Sequence, residues 1–150
     1  MRALEILTRH VVLAQRTESL LEAIRKMRRE HVGALVVVEE RGGANVPVGM
    51  LTDRDIVVGV FAKDVSHVGS LDVGDVMSSD LVTATSDEDV GEVLRRMRSF
   101  GVRRVPVVDA AGRLEGVLSL DDVLAGLSEE LAEAASLAAR QREREPARRP

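Results

Sequence analysis

The sequence repeats itself at a nearly constant spacing, and this limits the possible folds more than any other feature. The segment that begins at Val11 matches the segment that begins at Leu81, an offset of 70. A Gly42–Gly43 loop makes the first copy three residues longer, after which GMLTDRDIV matches GVLSLDDVL at an offset of 67. A match with a single insertion at a turn indicates a tandem duplication of about fifty residues, so we expect two similar structural units.

Each copy predicts the order β-α-β-β-α, which makes the chain an α/β (α+β) protein of two motifs. Ser19 and Glu22 form a capping-box pattern before the first amphipathic helix, whereas Ser86 or Asp87 is expected to cap the matching helix. The last helix of each copy opens at a hydroxyl residue, Thr52 or Ser119. Strands are predicted at 11–14, 34–38 and 48–51 in the first copy, and at 81–84, 105–108 and 116–118 in the second.

The expected domains follow the repeat. One motif covers residues 1–65, a second covers 66–127, and a helical, basic tail covers 128–150, with disorder beyond Pro146. The strands at 34–38 and 105–108 are apolar at nearly every residue, so both of their faces need cover. Because each half is too small to supply that cover, we expect that the motifs do not fold independently.

Composition argues against several classes of protein. No stretch approaches the ~18 apolar residues of a membrane span, the opening MRALEILTRH lacks the apolar region of a signal peptide, and cysteine is absent. We therefore expect a cytoplasmic protein without membrane contact. Phe61 and Phe100 are the only aromatic residues, too few to stack single-stranded bases. The net charge of the chain is −4, although its last eleven residues alone sum to +3. The rest of the chain is therefore acidic and does not suit duplex DNA, and we expect no nucleic-acid partner.

The pattern Gly-x-Leu-Thr/Ser-x-x-Asp stands at the same strand-to-helix junction in both copies. Its hydroxyl and acid are Thr52 and Asp55 in the first copy and Ser119 and Asp122 in the second. One interpretation is structural, because a hydroxyl followed three residues later by an acid caps a helix. The other is that the hydroxyl and free N–H groups bind phosphate while the acid accepts hydrogen bonds from ribose. Recurrence in both copies favours binding.

A pair of arginines precedes the buried strand of the second copy. Arg103 and Arg104 are either solvated charges or a guanidinium clamp for a phosphate. Pro106 lacks a donor for the sheet, which favours an edge or a bulge. The first copy has Gly33 and Ala34 instead of the arginines, so Arg54 is the candidate cation there.

Known catalytic arrangements are missing. The sequence has no phosphate-binding or dinucleotide-binding glycine loop, no zinc-protease motif and no nucleophile elbow. His10, His31 and His67 show no metal-ligand spacing, and the Arg95-Arg96-x-Arg98 cluster is interpreted as a solvated helix face. We therefore expect neither an enzyme nor a metal site.

Together these features resemble the CBS domain, named for cystathionine β-synthase, and the two copies resemble a CBS pair over roughly residues 1–127. The tandem element order carries the resemblance, with RVPVVD, GMLTDRD and GVLSLDD. It implies two motifs packed sheet against sheet about a pseudo-two-fold axis, with two clefts that often bind AMP, ADP or ATP. Thr52 and Asp55 would then serve one cleft, and Ser119 and Asp122 the other.

The resemblance also implies a wider set of ligand contacts. Arg103 and Arg104 match the basic pair that the family places before its Pro106-containing strand. The adenine slots would be lined by groups near four small or apolar residues: Ala14, Ala34, Ala84 and Val105.

The resulting hypothesis is a non-enzymatic sensor that binds an adenine nucleotide as a regulatory ligand, needs no other cofactor and signals to a separate effector protein. We expect a homodimer, with Ile24, Met27, Leu94 and Met97 either at its interface or in the internal core. We also expect unequal clefts, with Arg103 and Asp122 in the tighter one and Asp55 in the other. Two alternatives stay open: Arg54 compensates in the first cleft, or the pseudo-two-fold axis carries an arginine across to the other cleft. The alternative is a structural or protein-interaction module with no nucleotide ligand.

Overall fold

The computed structural model describes residues 1–148, and both copies have the predicted order of elements. The elements of the first copy are α1 (Ala3–Ile6), β1 (Leu13–Ala14), α2 (Leu20–Glu30), β2 (Ala34–Arg41), β3 (Ala44–Thr52), α3 (Asp53–Ile56), a π-helical turn (Val57–Phe61) and a 3-10 helix (Val65–Ser70). The second copy contains α4 (Val73–Val76), β4 (Ala84–Thr85), α5 (Val90–Phe100), β5 (Arg104–Val108), β6 (Leu114–Ser119) and α6 (Leu120–Arg148).

The strands form two sheets of identical topology, β1-β2-β3 and β4-β5-β6. In each sheet the short first strand is parallel to the central strand, which pairs antiparallel with the third. Both ladders contain an irregularity at the same place in the repeat, after Val37 and after Val107. In the first copy the hairpin extends to Arg41 because Gly42 and Gly43 take the positive φ angles, 60° and 79°, that a tight turn needs.

Helix caps differ from expectation in one place. Ser19 caps α2 as predicted, with its hydroxyl accepting from Glu22 N at 3.1 Å. Helix α5 begins at Val90 and is capped by Asp89, so the assignment to Ser86 or Asp87 was wrong. Asp87 instead accepts a hydrogen bond from the Thr85 hydroxyl in the preceding turn, 2.7 Å away.

Each copy has its own apolar core, and the short helices α1 and α4 are exchanged between the two. Ala3 of α1 is fully buried in the second core, which also contains Val93 and Leu118. Val73 of α4 is fully buried in the first core, which also contains Leu20. Of the candidate dimer contacts, Met27 and Met97 are buried in these cores, whereas Ile24 and Leu94 pack against them and are only partly buried.

Matching hydrogen bonds hold the exchanged helices in place. Ala3 N donates to Glu88 O at 3.0 Å, and Val73 N donates to Glu18 O at 2.9 Å. After each short helix the chain crosses the third strand of the other copy, where Thr8 pairs with Val117. At the second crossing Met50 pairs with Ser78 in the same way.

These crossings explain the glycine of the repeated motif. A Cβ on Gly116 would lie 2.6 Å from the Thr8 carbonyl oxygen, and one on Gly49 would lie 2.7 Å from that of Ser78. No real Cβ contact is that short, so the glycines are required by packing rather than by a ligand.

Helix α6 is one continuous helix of 29 residues, although the sequence predicted a separate tail helix from Ser128. It runs through Pro146 to Arg148, further than the expected end of order; residues 149 and 150 lie outside the described residues. Within the described chain, no helix is long and apolar enough to cross a membrane.

Candidate ligand-binding clefts

Two clefts lie where the sheets meet, and each is built from both copies. The Thr52 cleft, of about 460 Å³, joins residues 52–55 of the first copy to residues 78–82 and 101–104 of the second. The Ser119 cleft, of about 320 Å³, joins Ser119 and Asp122 of the second copy to residues 8–12 and 30–36 of the first. Both volumes suit a small organic ligand.

In the Thr52 cleft, Thr52 and Asp55 form a reciprocal cap at the start of α3. Asp55 N donates to Thr52 Oγ1 at 3.1 Å, and Thr52 N donates to Asp55 Oδ2 at 2.9 Å. Among the described residues, the Thr52 hydroxyl makes no bond as a donor and Asp55 Oδ1 accepts none. The cap therefore leaves one donor and one acceptor available to a ligand.

The Ser119 cleft has the same cap with one difference. Asp122 N donates to Ser119 Oγ at 3.1 Å, and Ser119 N donates to Asp122 Oδ2 at 3.0 Å. The Ser119 hydroxyl also donates to Asp122 Oδ2 at 2.5 Å. Its hydrogen is therefore engaged within the protein, unlike that of Thr52.

The arginines are unevenly shared between the clefts. Arg54, Arg103 and Arg104 all line the Thr52 cleft, together with the carboxylates of Asp53, Asp55 and Asp80. Only Arg104 of the three also lines the Ser119 cleft, where Glu30 and Asp122 are the acids. Arg103 approaches Asp121 at 3.7 Å, but both side chains are more than 70% exposed, so this pair holds it weakly.

This geometry corrects the expected pairing of arginine and acid. Arg103 lies in the cleft of Asp55 and not in that of Asp122. The start of β5 lies beside the start of α6, where Leu120 N donates to Arg103 O at 2.8 Å. The packing of the motifs brings it to the end of β3 as well, and Arg103 lines the cleft on that side.

Four of the predicted contacts lie away from both clefts. Ala14 and Val105 are buried in the cores, and Ala84 lines a separate surface depression beside Phe100. Ala34, by contrast, lines the Ser119 cleft as expected. Pro106 is buried in the central strand β5, not at an edge, and stands one residue before the ladder irregularity. The two-residue β4 pairs only with Val107 and Val108, so Pro106 has no partner on that side.

Sequence reasoning missed the segments before β1 and β4, which form one wall of each cleft. Thr8, His10 and Val12 lie in the Ser119 cleft. Their equivalents at the offset of 70, which are Ser78, Asp80 and Val82, lie in the Thr52 cleft. Extending the repeat back to Met1 and Leu71 would have pointed to both segments.

Arg96, predicted to be part of a solvated face, has a structural role outside the clefts. It pairs with Glu88 and donates to Thr83 O at 2.7 Å. The hydrogen bond from Arg96 lowers the pKa of Glu88 and raises that of Arg96. The first copy places Lys26 at the equivalent position, 2.6 Å from Glu18 and 2.8 Å from Leu13 O.

Comparison with known families gives one result for both halves. The family model of the CBS domain matches residues 3–61 and again residues 73–129. These two ranges cover most of the chain and contain all the strands.

Individual relatives agree with the family match. An uncharacterized protein of Methanopyrus kandleri is 32% identical over 120 residues, which are 80% of this chain and 59% of that protein, so the chain spans little more than half of it. The uncharacterized protein YlbB of Bacillus subtilis is 36% identical over 121 residues, 81% of this chain and 77% of that protein.

A solved structure has the same fold. The CBS domain pair of protein MJ0100 is 24% identical and superimposes with a TM-score of 0.74 over 87% of this chain and 98% of that one. That structure is a complex with 5′-methylthioadenosine and S-adenosyl-L-methionine.

Proposed function

The chain belongs to the CBS domain family, a family of regulatory modules, and we propose that it is a non-enzymatic sensor of an adenine nucleotide. One observation carries the proposal: the Thr52 cleft gathers three arginines, a hydroxyl and three carboxylates from both motifs. The adenosine ligands of the MJ0100 pair support the choice of an adenine compound. AMP, ADP and ATP are the first candidates because the arginines suit phosphate.

Each group in the Thr52 cleft has a role in the proposed complex. Arg54, Arg103 and Arg104 bind the phosphates, and the Thr52 hydroxyl donates a further hydrogen bond. Asp55 Oδ1 accepts from a ribose hydroxyl. The base lies against the apolar part of the wall, which Val82 and Val102 provide.

Regulation follows from the position of the ligand between the motifs. Since each cleft takes residues from both copies, a bound nucleotide stabilises one relative arrangement of the sheets over others. The homodimeric protein, acting in the cytoplasm, would transmit that arrangement to a separate effector protein.

Calorimetric titration of AMP, ADP and ATP into the unmodified protein and four variants tests the proposal. Arg103→Ala and Asp55→Ala should weaken the same, tighter binding event, while Asp122→Ala should leave it unchanged. The loss for Arg103→Ala should be about tenfold to a hundredfold, because a charged hydrogen bond contributes ~1.5–3 kcal/mol. Arg95→Ala is the matched control, since Arg95 has the same 72% exposure as Arg103 and lies outside both clefts. Loss of the tighter event in Asp122→Ala alone would contradict the assignment.

The alternative, a structural or protein-interaction module, has one observation in its favour. Asp55 and Asp122 both complete helix caps, which would explain their presence without any ligand. If the unmodified protein binds none of the three nucleotides, and S-adenosylmethionine causes no thermal shift, this alternative is correct.

A further inference from the structure

Arg104 lies between the two clefts and lines both of them. It is the first residue of β5 and stands directly opposite Ser119 in the ladder with β6, beside the Ser119 cleft. The three residues before it, 101–103, run along the Thr52 cleft. Met50 also lines both clefts, so the two cavities share a wall at this point.

The side chain of Arg104 has no counter-charge in the part of the chain that the structure describes. It is half-buried, whereas Arg54 and Arg103 are exposed. Among the described residues its guanidinium donates no hydrogen bond and forms no ion pair. A partly buried cation without a partner costs stability, so an anion that reaches Arg104 would stabilise it.

The two clefts depend on Arg104 to different degrees. Among the described residues that line the Ser119 cleft, Arg104 is the one permanent cation, and His10 is positive only when protonated. The Thr52 cleft has Arg54 and Arg103 as well. Without Arg104 the Thr52 cleft therefore keeps two arginines, whereas the Ser119 cleft keeps none.

The other polar groups of the Ser119 cleft do not favour a phosphate. Glu30 and Asp122 are acids, and the Ser119 hydroxyl already donates to Asp122. Glu30 approaches Arg29 at 3.6 Å, but this pair is exposed and weak, so it does not cancel the charge of Glu30. The affinity of this cleft for a phosphorylated ligand therefore rests on Arg104.

We infer that the two clefts compete for Arg104. A guanidinium that forms a bidentate pair with a phosphate in one cleft is held there and is lost to the other. A nucleotide in the Thr52 cleft takes Arg104, because Arg54 and Arg103 bind the same phosphates. The Ser119 cleft then favours an adenosine compound without phosphate. This competition rests on the nucleotide binding proposed above and adds the class of ligand that the second cleft takes.

Thermodynamic linkage makes the competition reciprocal. A phosphate that binds in the Ser119 cleft lowers the affinity of the Thr52 cleft for phosphate by the same factor. Adenosine has no phosphate, so its binding in one cleft should leave the other unchanged. When both kinds of ligand are present, the protein should therefore hold one phosphorylated and one unphosphorylated compound.

Calorimetric titration of AMP and of adenosine, at about pH 8 where histidine is ordinarily neutral, tests the competition. The double variant Arg54→Ala/Asp55→Asn disables the Thr52 cleft, since it removes a cation and the ribose acceptor while the new amide oxygen still caps α3. The Ser119 cleft of this variant should bind AMP about tenfold more tightly than in the unmodified protein, because Arg104 is available. Its affinity for adenosine should be the same in both proteins.

Arg104→Met gives the deciding comparison. It should weaken AMP binding in the Ser119 cleft about tenfold when the Thr52 cleft is disabled, and by less than about twofold when AMP fills that cleft. Arg95→Met is the matched control, since Arg95 is exposed and lies outside both clefts, and it should change neither dissociation constant. If the disabling double variant shows no cooperative thermal transition, Asp55→Asn alone takes its place.

The other outcomes identify which idea fails. An equal loss for Arg104→Met in both backgrounds would mean that Arg104 serves the Ser119 cleft whatever fills the other. No loss in either background, or no AMP binding once the Thr52 cleft is disabled, would mean that it does not serve that cleft. Each of these results overturns the competition alone. An unmodified protein that binds no AMP overturns both the competition and the proposed nucleotide sensor.

Discussion

The two copies share a frame and differ in the side chains that they point into the clefts. Both exchange a short helix, both carry a glycine where the chain crosses, and both cap the last helix with a hydroxyl and an aspartate. In the clefts, by contrast, Arg103 replaces Gly33, and Asp121 replaces Arg54. The residues that packing requires are therefore the same in both copies. The charged residues of the clefts, which packing does not fix, differ between them.

The strongest test of the shared frame is to separate the copies. A fragment of residues 1–65 lacks Val68 and Val73, which the first core buries, and leaves α1 without its site in the second. It should show no cooperative thermal transition by circular dichroism, whereas the full chain should show one. A fragment that unfolds cooperatively would show that one copy is stable without the exchange.

The next largest effect on stability should come from replacing Gly116 or Gly49, the glycines at the two crossings, and it should differ between the copies. Gly116→Ala should lower the free energy of unfolding by about 1–3 kcal/mol, because the new methyl would overlap Leu7 and the Thr8 carbonyl. Gly49→Ala should cost less, because its new methyl would lie 2.7 Å from Ser78 O and 2.9 Å from the Met77 sulfur, compared with 2.6 Å and 2.4 Å for the two closest contacts at Gly116. Urea unfolding measures both. Gly69→Ala, with open space around it, is the control, and an equal loss there would remove the packing explanation.

The smallest expected loss of stability comes from breaking the ion pairs that join α2 and α5 to the first strands, and it should differ between the two copies. Arg96→Met should lower stability by about 1–2 kcal/mol near pH 7 and Lys26→Met by less, because Arg96 bonds Glu88 and Thr83 through two nitrogens. Urea unfolding again provides the measurement. An equal or larger loss for Lys26→Met would contradict this order.

The stability that the Arg96–Glu88 pair contributes should depend on pH in a defined direction. Because the folded-state pKa of Glu88 is lowered, its contribution is complete above the usual value of 4.5 and is lost as the pH falls through the lower folded value. The difference in stability between the unmodified chain and Arg96→Met should therefore shrink when the pH is brought well below 4.5. A difference that grows on acidification would mean that Glu88 is not the partner that matters.

Local patterns were enough to predict the order of elements but not the contacts between copies. Thr52 and Ser119 were recognised because a cap needs only residues close in sequence. Helices α1 and α4 were missed because four residues show no periodicity, and these helices form through contacts with the other copy. The grouping of Arg103 with Asp55 depends on how the sheets pack, which no pattern within one copy contains. The capping role of Asp89 could, however, have been predicted, since Asp89 matches the capping residue Ser19 at the offset of 70.

The exchange of α1 also has a consequence for synthesis on the ribosome. The first core can close once α4 has emerged, but residues 1–8 must wait for β6, more than a hundred residues behind them. At roughly 5–20 residues per second, Ala3, Ile6 and Leu7 stay uncovered for several seconds after the first core is complete. A nascent chain that stops in this interval would carry a closed half and an exposed apolar segment at residues 1–8. Chaperones and proteases could use that segment to tell an unfinished chain from a finished one.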